Sequence, residues 1–158
     1  MLKVSQKTEY AMRAMMELAM RRLHHGPVLV PARTLAEAQQ IPLRFLEQQL
    51  GALHKAGLVE SFRGAGGGCR LARDPAGIRV TEIVDAIEGH TRPMHCLEVE
   101  DHRCFADSHC GLQELWGDVD LAIRRVFEST TLADLAERHR RLVERPMWAP
   151  DELLRPRR

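Results

Sequence analysis

Residues 34–72 read TLAEAQQIPLRFLEQQLGALHKAGLVESFRGAGGGCRLA, and this stretch decides the fold. Thr34, with Glu37 three residues later, predicts a capping box that starts a short helix. Pro42 ends the turn that follows and suits the first turn of a second helix, over about 42–56. The apolar stripe of this second helix consists of Leu43, Leu46, Leu50 and Leu53. The pattern predicts a helix-turn-helix, and its alternative is a helical hairpin with a solvated face.

A β-hairpin is predicted directly after the second helix. Residues 58–62 and 69–72 have the composition of strands, and the turn between them is basic and rich in glycine. Glycine lets the backbone approach a phosphate, and Arg63 or Arg70 could enter a DNA groove. A nucleotide-binding loop is the competing interpretation, but the Gly-Lys-Ser/Thr sequence and the helix that should follow it are missing. The hairpin is therefore predicted to be the wing of a winged helix.

Working outward, apolar residues at spacings of three and four predict helices over 7–23, 80–89 and 112–130, and a short one from Thr131. The helix over 112–130 carries a long stripe: Leu112, Leu115, Trp116, Val119, Ile123, Val126 and Phe127. Such a stripe could be buried within the fold, but its length favours packing against the same helix of a second copy. The fold class is therefore mainly α with a small β-hairpin.

Composition limits the class of protein. At 158 residues with 44% hydrophobic residues, the chain forms one domain, with or without an extension. No segment approaches the roughly 20 apolar residues that span a bilayer, and the N-terminus lacks a secretory signal, so a cytoplasmic protein without membrane contact is expected. Residues 1–80 carry 12 Lys/Arg and 6 Asp/Glu, a charge of +6, which suits a polyanion. No nucleophile–base pair or cofactor fingerprint indicates an enzyme.

A polar loop before the long helix concentrates potential metal ligands. Cys96, Cys104 and Cys110 are separated by seven and five residues, and the same stretch holds four histidines: His90, His95, His102 and His109. Thiolates select zinc or iron–sulfur clusters, and a long loop without apolar periodicity needs something to order it. The spacing matches no common zinc finger, and surface thiols or a disulfide are the alternatives. In a cytosolic protein, the pattern favours a metal or cluster site.

Several motifs in order make the resemblance specific. KTEYAMRAMMELA, IPLRFLEQQLGALHKAGLVESFRGAGGGCRLAR, VTEIVDAIEG, the three cysteines, CGLQELW and TLADLA are similar to the IscR/NsrR/RirA-type winged-helix iron–sulfur regulators, the Rrf-two family. The resemblance covers about residues 1–143. It implies a homodimeric transcription factor that binds a palindromic duplex operator and senses iron, nitric oxide or redox state. The clusterless or zinc-bound member that acts through thiol chemistry or a partner protein is the alternative.

The predicted organisation has four parts, and the resemblance implies the first three. Residues 1–89 would be the winged helix-turn-helix DNA-binding domain, and residues 90–111 the cluster-binding loop. Residues 112–143 would form the dimerisation helix with the terminal short helix. Residues 144–158 lie beyond the resemblance, and their prolines and closing RPRR predict a flexible tail.

The implied cofactor is a [4Fe-4S] or [2Fe-2S] cluster on Cys96, Cys104 and Cys110. IscR-like members take their fourth ligand from a histidine three residues after the last cysteine, where this chain has Gln113. NsrR-like members use an acidic side chain near the N-terminus of the partner subunit, which corresponds to Glu9. Glu9 also suits the first turn of its helix, and two loop histidines, His102 and His109, are the other candidates.

DNA contacts follow from the resemblance and from side-chain chemistry together. Arg44 suits guanine, Gln48 suits adenine, and Glu47 can accept a hydrogen bond from cytosine. Ser5, Lys7 and Lys55 are predicted to contact phosphates, and Arg63 to enter the minor groove. Cys69 occupies the wing position where relatives commonly have tyrosine, which indicates a structural thiol.

Overall fold

The computed structural model describes residues 4–64, 66–89 and 110–144. Six helices are described: α1 (Gln6–His25), α2 (Ala32–Gln39), α3 (Leu43–Lys55), α4 (Val80–Glu88), α5 (Gly111–Ser129) and α6 (Leu132–Glu144). Two antiparallel strands, β1 (Val59–Phe62) and β2 (Gly68–Leu71), form the hairpin, and a 3-10 turn covers Pro75–Gly77. The predicted fold class, mainly helical with a small hairpin, is confirmed.

Helix α1 begins and ends where its sequence provides caps. The Ser5 hydroxyl accepts a hydrogen bond from the Thr8 amide at 3.2 Å, which satisfies one of the free donors of the first turn. At the other end Gly26 has a φ of +75°, and its amide donates to the carbonyl of Arg22 at 2.8 Å. The helix therefore extends slightly beyond the predicted 7–23 at both ends.

The helix-turn-helix is present, but the predicted capping box is wrong. Helix α2 begins at Ala32, because Pro31 at the N-cap has a φ of −57°, and no side chain caps it. Thr34 therefore lies inside the first turn instead of preceding it. Gln40, in the left-handed region at a φ of +51°, reverses the chain, and α3 starts directly after Pro42.

Close backbone packing explains two of the wing glycines. Val30 and Cys69 exchange main-chain hydrogen bonds of 2.9 and 2.8 Å, so the segment before α2 lies beside β2. A Cβ atom on Gly68 would lie 2.7 Å from the Val30 carbonyl oxygen, and one on Gly67 would lie 2.4 Å from that of Phe62. Any side chain would clash at these positions, so these two glycines have a steric role within the chain.

The core is built around α1 and receives residues from the far end of the chain. Ala11, Met15 and Leu18 of α1 are buried, together with leucines of α2 and α3. Leu132 of α6 is 0% exposed in the same cluster. A short bridge joins the residues just before α4 to the start of α6, where the Leu132 amide donates to the Ile78 carbonyl at 2.8 Å. Helix α6 therefore packs against α1, and the four-part organisation stays a prediction.

Helix α5 is the opposite case, because none of its residues is buried within the chain. It packs against α4, where the Arg124 guanidinium lies 4.0 Å from the Asp85 carboxylate. The large apolar side chains that it exposes are Leu112, Leu115, Leu121 and Val126. Across the described ranges, no helix is both long and apolar enough to cross a membrane.

Candidate nucleic-acid interface and cysteine ligands

The outward face of α3 collects most of the predicted DNA contacts. Arg44, Glu47, Gln48 and Lys55 are exposed. The opposite side of the helix is buried through Leu46, Leu50 and Leu53. The structure thus brings together a guanidinium, a carboxylate, an amide and an ammonium group on one solvated surface. This set offers hydrogen-bond donors and acceptors for base edges, and positive charge for phosphates.

Of two polar contacts beneath that surface, one lies within α3 and the other joins α3 to the hairpin. The Gln49 side chain is buried, and its amide nitrogen donates to the Phe45 carbonyl at 3.4 Å. Nδ1 of His54 lies 2.9 Å from the Val59 carbonyl oxygen, which joins the end of α3 to β1. The end of α3 is therefore joined directly to the hairpin.

The two arginines of the hairpin differ in their contacts. Nε of Arg70 donates to the Glu60 carboxylate at 2.7 Å, and the Arg70 guanidinium lies 5.2 Å from the centre of the Phe62 ring. Arg63, at the tip, is exposed and has no such partner within the part of the chain that the structure describes. Of the two candidates from the sequence, Arg63 is therefore the one available for a groove.

Ser5 and Lys7, two of the predicted phosphate contacts, lie at the start of α1. The hydroxyls of Ser5 and Thr8 both donate to one carboxylate oxygen of Glu88, at the end of α4. The hydrogen bonds from Ser5 and then Thr8 lower the pKa of Glu88, and the charge of Lys7 acts in the same direction. The Ser5 hydroxyl is thus occupied by an acidic group, whereas Lys7 is exposed.

The described part of the predicted ligand set consists of Cys110 and Glu9. Cys110 is a free thiol of intermediate exposure at the N-cap of α5. Glu9 is exposed on the first turn of α1, with its carboxylate 3.5 Å from the guanidinium of Arg13. Gln113 is exposed on the first turn of α5. Cys96 and Cys104, like His102 and His109, lie outside the described residues. Among residues 4–64, 66–89 and 110–144, no three His, Cys, Asp or Glu side chains come close enough to hold a metal ion.

Cys69 has the environment of a structural thiol. Its side chain is 2% exposed, and its sulfur donates to the Val30 carbonyl at 3.4 Å. Burial raises the pKa of this thiol to about 11, so the thiolate needed for metal binding is disfavoured.

Two residues of interest were missed from the sequence. Phe45, on the first turn of α3, is 53% exposed, whereas the leucine stripe of this helix lies on its buried face. Its position outside that stripe and next to Arg44 could have indicated this exposure. Glu88 joins α4 to α1 across 80 residues or more, and no local pattern in the sequence predicts such a contact.

Comparison with known proteins settles the family. The Rrf2 model, described as an iron-dependent transcriptional regulator, matches residues 4–138. This chain belongs to the Rrf2 family. The HTH-type transcriptional regulator CymR of Bacillus subtilis is 35% identical over 135 residues, which cover 85% of this chain and 90% of that protein. The Rrf2 relatives are regulators, so this chain is a DNA-binding transcriptional regulator and not an enzyme.

Solved structures agree with the assignment of the fold. The structure of CymR, the global cysteine regulator of B. subtilis, has a TM-score of 0.72 at 33% identity and covers 87% of this chain and 98% of its own. That of T. potens IscR has a TM-score of 0.73 at 32% identity, covering 92% and 93%. The Rrf2 fold therefore extends over most of the chain.

Proposed function

We propose that this regulator is a homodimer whose affinity for a palindromic duplex operator depends on an iron–sulfur cluster, [4Fe-4S] or [2Fe-2S], bound by Cys96, Cys104 and Cys110, with Glu9 as fourth ligand. The observation that carries the proposal is the place of Cys110, a free thiol at the junction of the cysteine loop and α5. The iron-dependent description of the family and the similarity to an IscR support it. Such a regulator would act in the cytoplasm.

The described ligands fit a cluster chemically. Cys110 offers a soft sulfur ligand that no disulfide consumes, and Glu9 offers an exposed carboxylate, which is a harder and more easily exchanged ligand. The buried Cys69 is unsuited to the same role, so the three loop cysteines remain as the set. A bound cluster would supply a group that responds to iron supply, nitric oxide or oxidation.

The unburied apolar stripe of α5 supports a homodimer. A helix of 19 residues with an apolar stripe and no buried side chain needs a partner surface, and the same stripe on a second copy is complementary by symmetry. A two-fold dimer would present two α3 helices. Two such helices match half-sites about 34 Å apart, which is one turn of DNA.

Each α3 would read bases with the residues on its outward face. Arg44 would donate to guanine, Gln48 would pair with adenine, and Glu47 would accept from cytosine. Lys7 and Lys55 would neutralise phosphates, and Arg63 would enter the minor groove. Ser5 would contribute its main-chain amide at the start of α1, because its hydroxyl is held by Glu88.

Helix α4 connects the proposed cluster site to α3, the proposed recognition helix. It packs against α1, α3 and α5, and it ends at Glu88, next to the cysteine loop. A change in the position of α5 or of the loop would therefore reach the recognition helix through one packed element. This arrangement supplies the two sites and the connecting structure that allosteric control requires.

The similarity to CymR, the global cysteine regulator of B. subtilis, favours a second candidate: a clusterless member that acts through thiol chemistry or a partner protein. A zinc-bound member is a variant of that alternative. All three forms bind DNA, so the metal content of the protein distinguishes them.

The test begins with the full chain purified without oxygen. Iron, sulfide and zinc are determined, Mössbauer spectra are recorded, and binding to a duplex selected from a random library is titrated before and after removal of the metal. We expect iron and sulfide in the wild-type chain, their loss in Cys104→Ala, and their retention in the matched control Cys69→Ala. Affinity for DNA should change at least tenfold between the two states, a coupling of about 1.4 kcal/mol.

Other results would contradict the proposal in different ways. Stoichiometric zinc without sulfide would favour the zinc-bound form. A metal-free protein whose DNA affinity responds only to thiol oxidation would favour the CymR-like candidate.

A further inference from the structure

Phe45 is the one large apolar side chain that α3, a helix described in full, exposes to solvent. Its side chain is 53% exposed, whereas Leu46 beside it is 0% exposed. Single exposed apolar residues are common on protein surfaces, so exposure alone indicates no function. The position of Phe45 within the recognition surface is the informative observation.

Phe45 is the third residue of α3 and therefore lies in its first turn. The first residues of a recognition helix are the ones that reach base edges in the major groove. With 100° between successive residues, Phe45 lies at one margin of the face formed by Arg44 and Gln48, and Glu47 lies at the other margin. The ring is therefore placed beside the predicted base-reading groups.

The main chain of Phe45 is held at both polar groups. Its amide donates to the carbonyl of Pro42 at 3.0 Å, and its carbonyl accepts from the buried side chain of Gln49 at 3.4 Å. The backbone from which the ring extends is therefore ordered before DNA arrives. Little backbone freedom is then lost on binding, which favours a specific contact.

The major groove offers one apolar group to such a ring, the C5 methyl of thymine. We propose that Phe45 is a specificity-determining residue that selects thymine by packing against this methyl group. The inference rests on the proposed DNA-binding role of α3. It adds a fourth chemistry to the surface, because Arg44, Glu47 and Gln48 recognise polar base edges only.

The experiment removes the methyl group from the DNA and the ring from the protein separately. Duplexes are selected from a random library with the full wild-type chain, and each thymine of the selected site is then replaced by deoxyuridine, which lacks only the methyl. Affinities are measured by fluorescence anisotropy for the wild-type chain, Phe45→Ala and Phe45→Leu. Phe62→Ala, which removes an exposed ring from the wing, is the matched control.

We expect one thymine in each half-site at which deoxyuridine weakens wild-type binding about fourfold, the effect of one buried methyl group. Phe45→Ala should bind the thymine site about tenfold more weakly and show no further loss with deoxyuridine. Phe45→Leu should retain part of the methyl dependence, and Phe62→Ala should retain all of it. Circular dichroism of each variant confirms that it is folded.

Two results would overturn the inference. One is a wild-type chain that is indifferent to every thymine methyl. The other is a Phe45→Ala protein with an undiminished methyl dependence, which would assign the ring to the DNA backbone or to a protein partner. A failure to select any DNA sequence would instead contradict the proposed role of α3 itself, so the two failures are distinguishable.

Discussion

Helices α1 and α5 are almost equal in length, at 20 and 19 residues, and differ completely in burial. Six residues of α1 are buried, and it contacts most of the other elements. No residue of α5 is buried. Both helices carry an apolar stripe, and only the greater length of the α5 stripe favoured a different partner for it in the sequence.

The difference between the two helices lies in how much of each apolar stripe the same chain covers. The stripe of α1 is covered by α2, α3, α4 and α6 of the same chain. That of α5 meets α4 along one side, and its remaining apolar residues face outward. Since burial of apolar surface is favourable, α1 stabilises the folded chain, whereas α5 keeps apolar surface that the proposed dimer would cover.

The largest effect is expected from a substitution in the core around α1. Leu53 of α3, at 0% exposure, packs in the core around α1, and Leu53→Ala removes three buried carbon atoms and leaves a cavity. The free energy of unfolding should fall by about 2–5 kcal/mol, as measured by urea denaturation. An equal loss from Leu142→Ala, at a site 49% exposed, would show that burial in this core does not set stability.

A change on α5 is expected to alter assembly instead of folding. Leu115 is 55% exposed within the chain, and Leu115→Glu places a carboxylate in the stripe. Sedimentation equilibrium should show a monomer, with circular dichroism unchanged and operator affinity reduced at least a hundredfold, about 2.7 kcal/mol.

Leu121→Glu provides the control on the same helix. Leu121 is 53% exposed but lies opposite the centre of the stripe, so this variant should remain a dimer. Dissociation by both variants, or by neither, would count against the stripe as the interface.

The smallest effect concerns Glu88, which joins the end of α4 to the start of α1. Hydrogen bonds from Ser5 and then Thr8 hold the pKa of Glu88 below its ordinary value of 4.5, so its ionised form is favoured in the folded state. The carboxylate therefore stabilises the fold above the unfolded pKa, and that contribution is lost as pH falls through the folded pKa.

The difference in unfolding free energy between the wild-type chain and Glu88→Gln should accordingly be constant from about pH 6 to 8 and decrease below about pH 4.5. Urea denaturation across this range measures it, with Glu47→Gln, an exposed change on α3, as the control. A difference that grows on acidification would assign the effect to another group.

Much of the fold was predictable because local signals decided it. Apolar periodicity located α1, α3 and α5, and Pro42 and Gly26 mark their neighbouring turns. Pro31 overrode the Thr34 capping signal, since its fixed φ allowed the helix to begin three residues earlier. The packing of α6 on α1 could not be predicted, because a periodic stripe does not specify which surface covers it.

For the candidate site, the sequence predicted which functional groups are present better than which of them are already bound by other residues. Residue type and helix face indicated Arg44, Glu47 and Gln48, and all three are exposed together. The hydrogen bonds from Ser5 to Glu88 and from Arg70 to Glu60 join separate elements, so no local pattern predicts them. The metal ligands remain predictions, since Cys96 and Cys104 lie outside the described residues.

The bridge between residues 79 and 131 has a practical consequence for fragments of this protein. Because Leu132 and Ala136 fill space beside α1, a truncation after residue 89 would leave a cavity in the hydrophobic core and remove one side of the bridge between Arg79 and Thr131. Helix α5 lies between two attachments to the rest of the fold, its packing against α4 and the bridge that follows its C-terminal end. A fragment designed to keep the core intact must therefore include residues 132–136 together with residues 4–89.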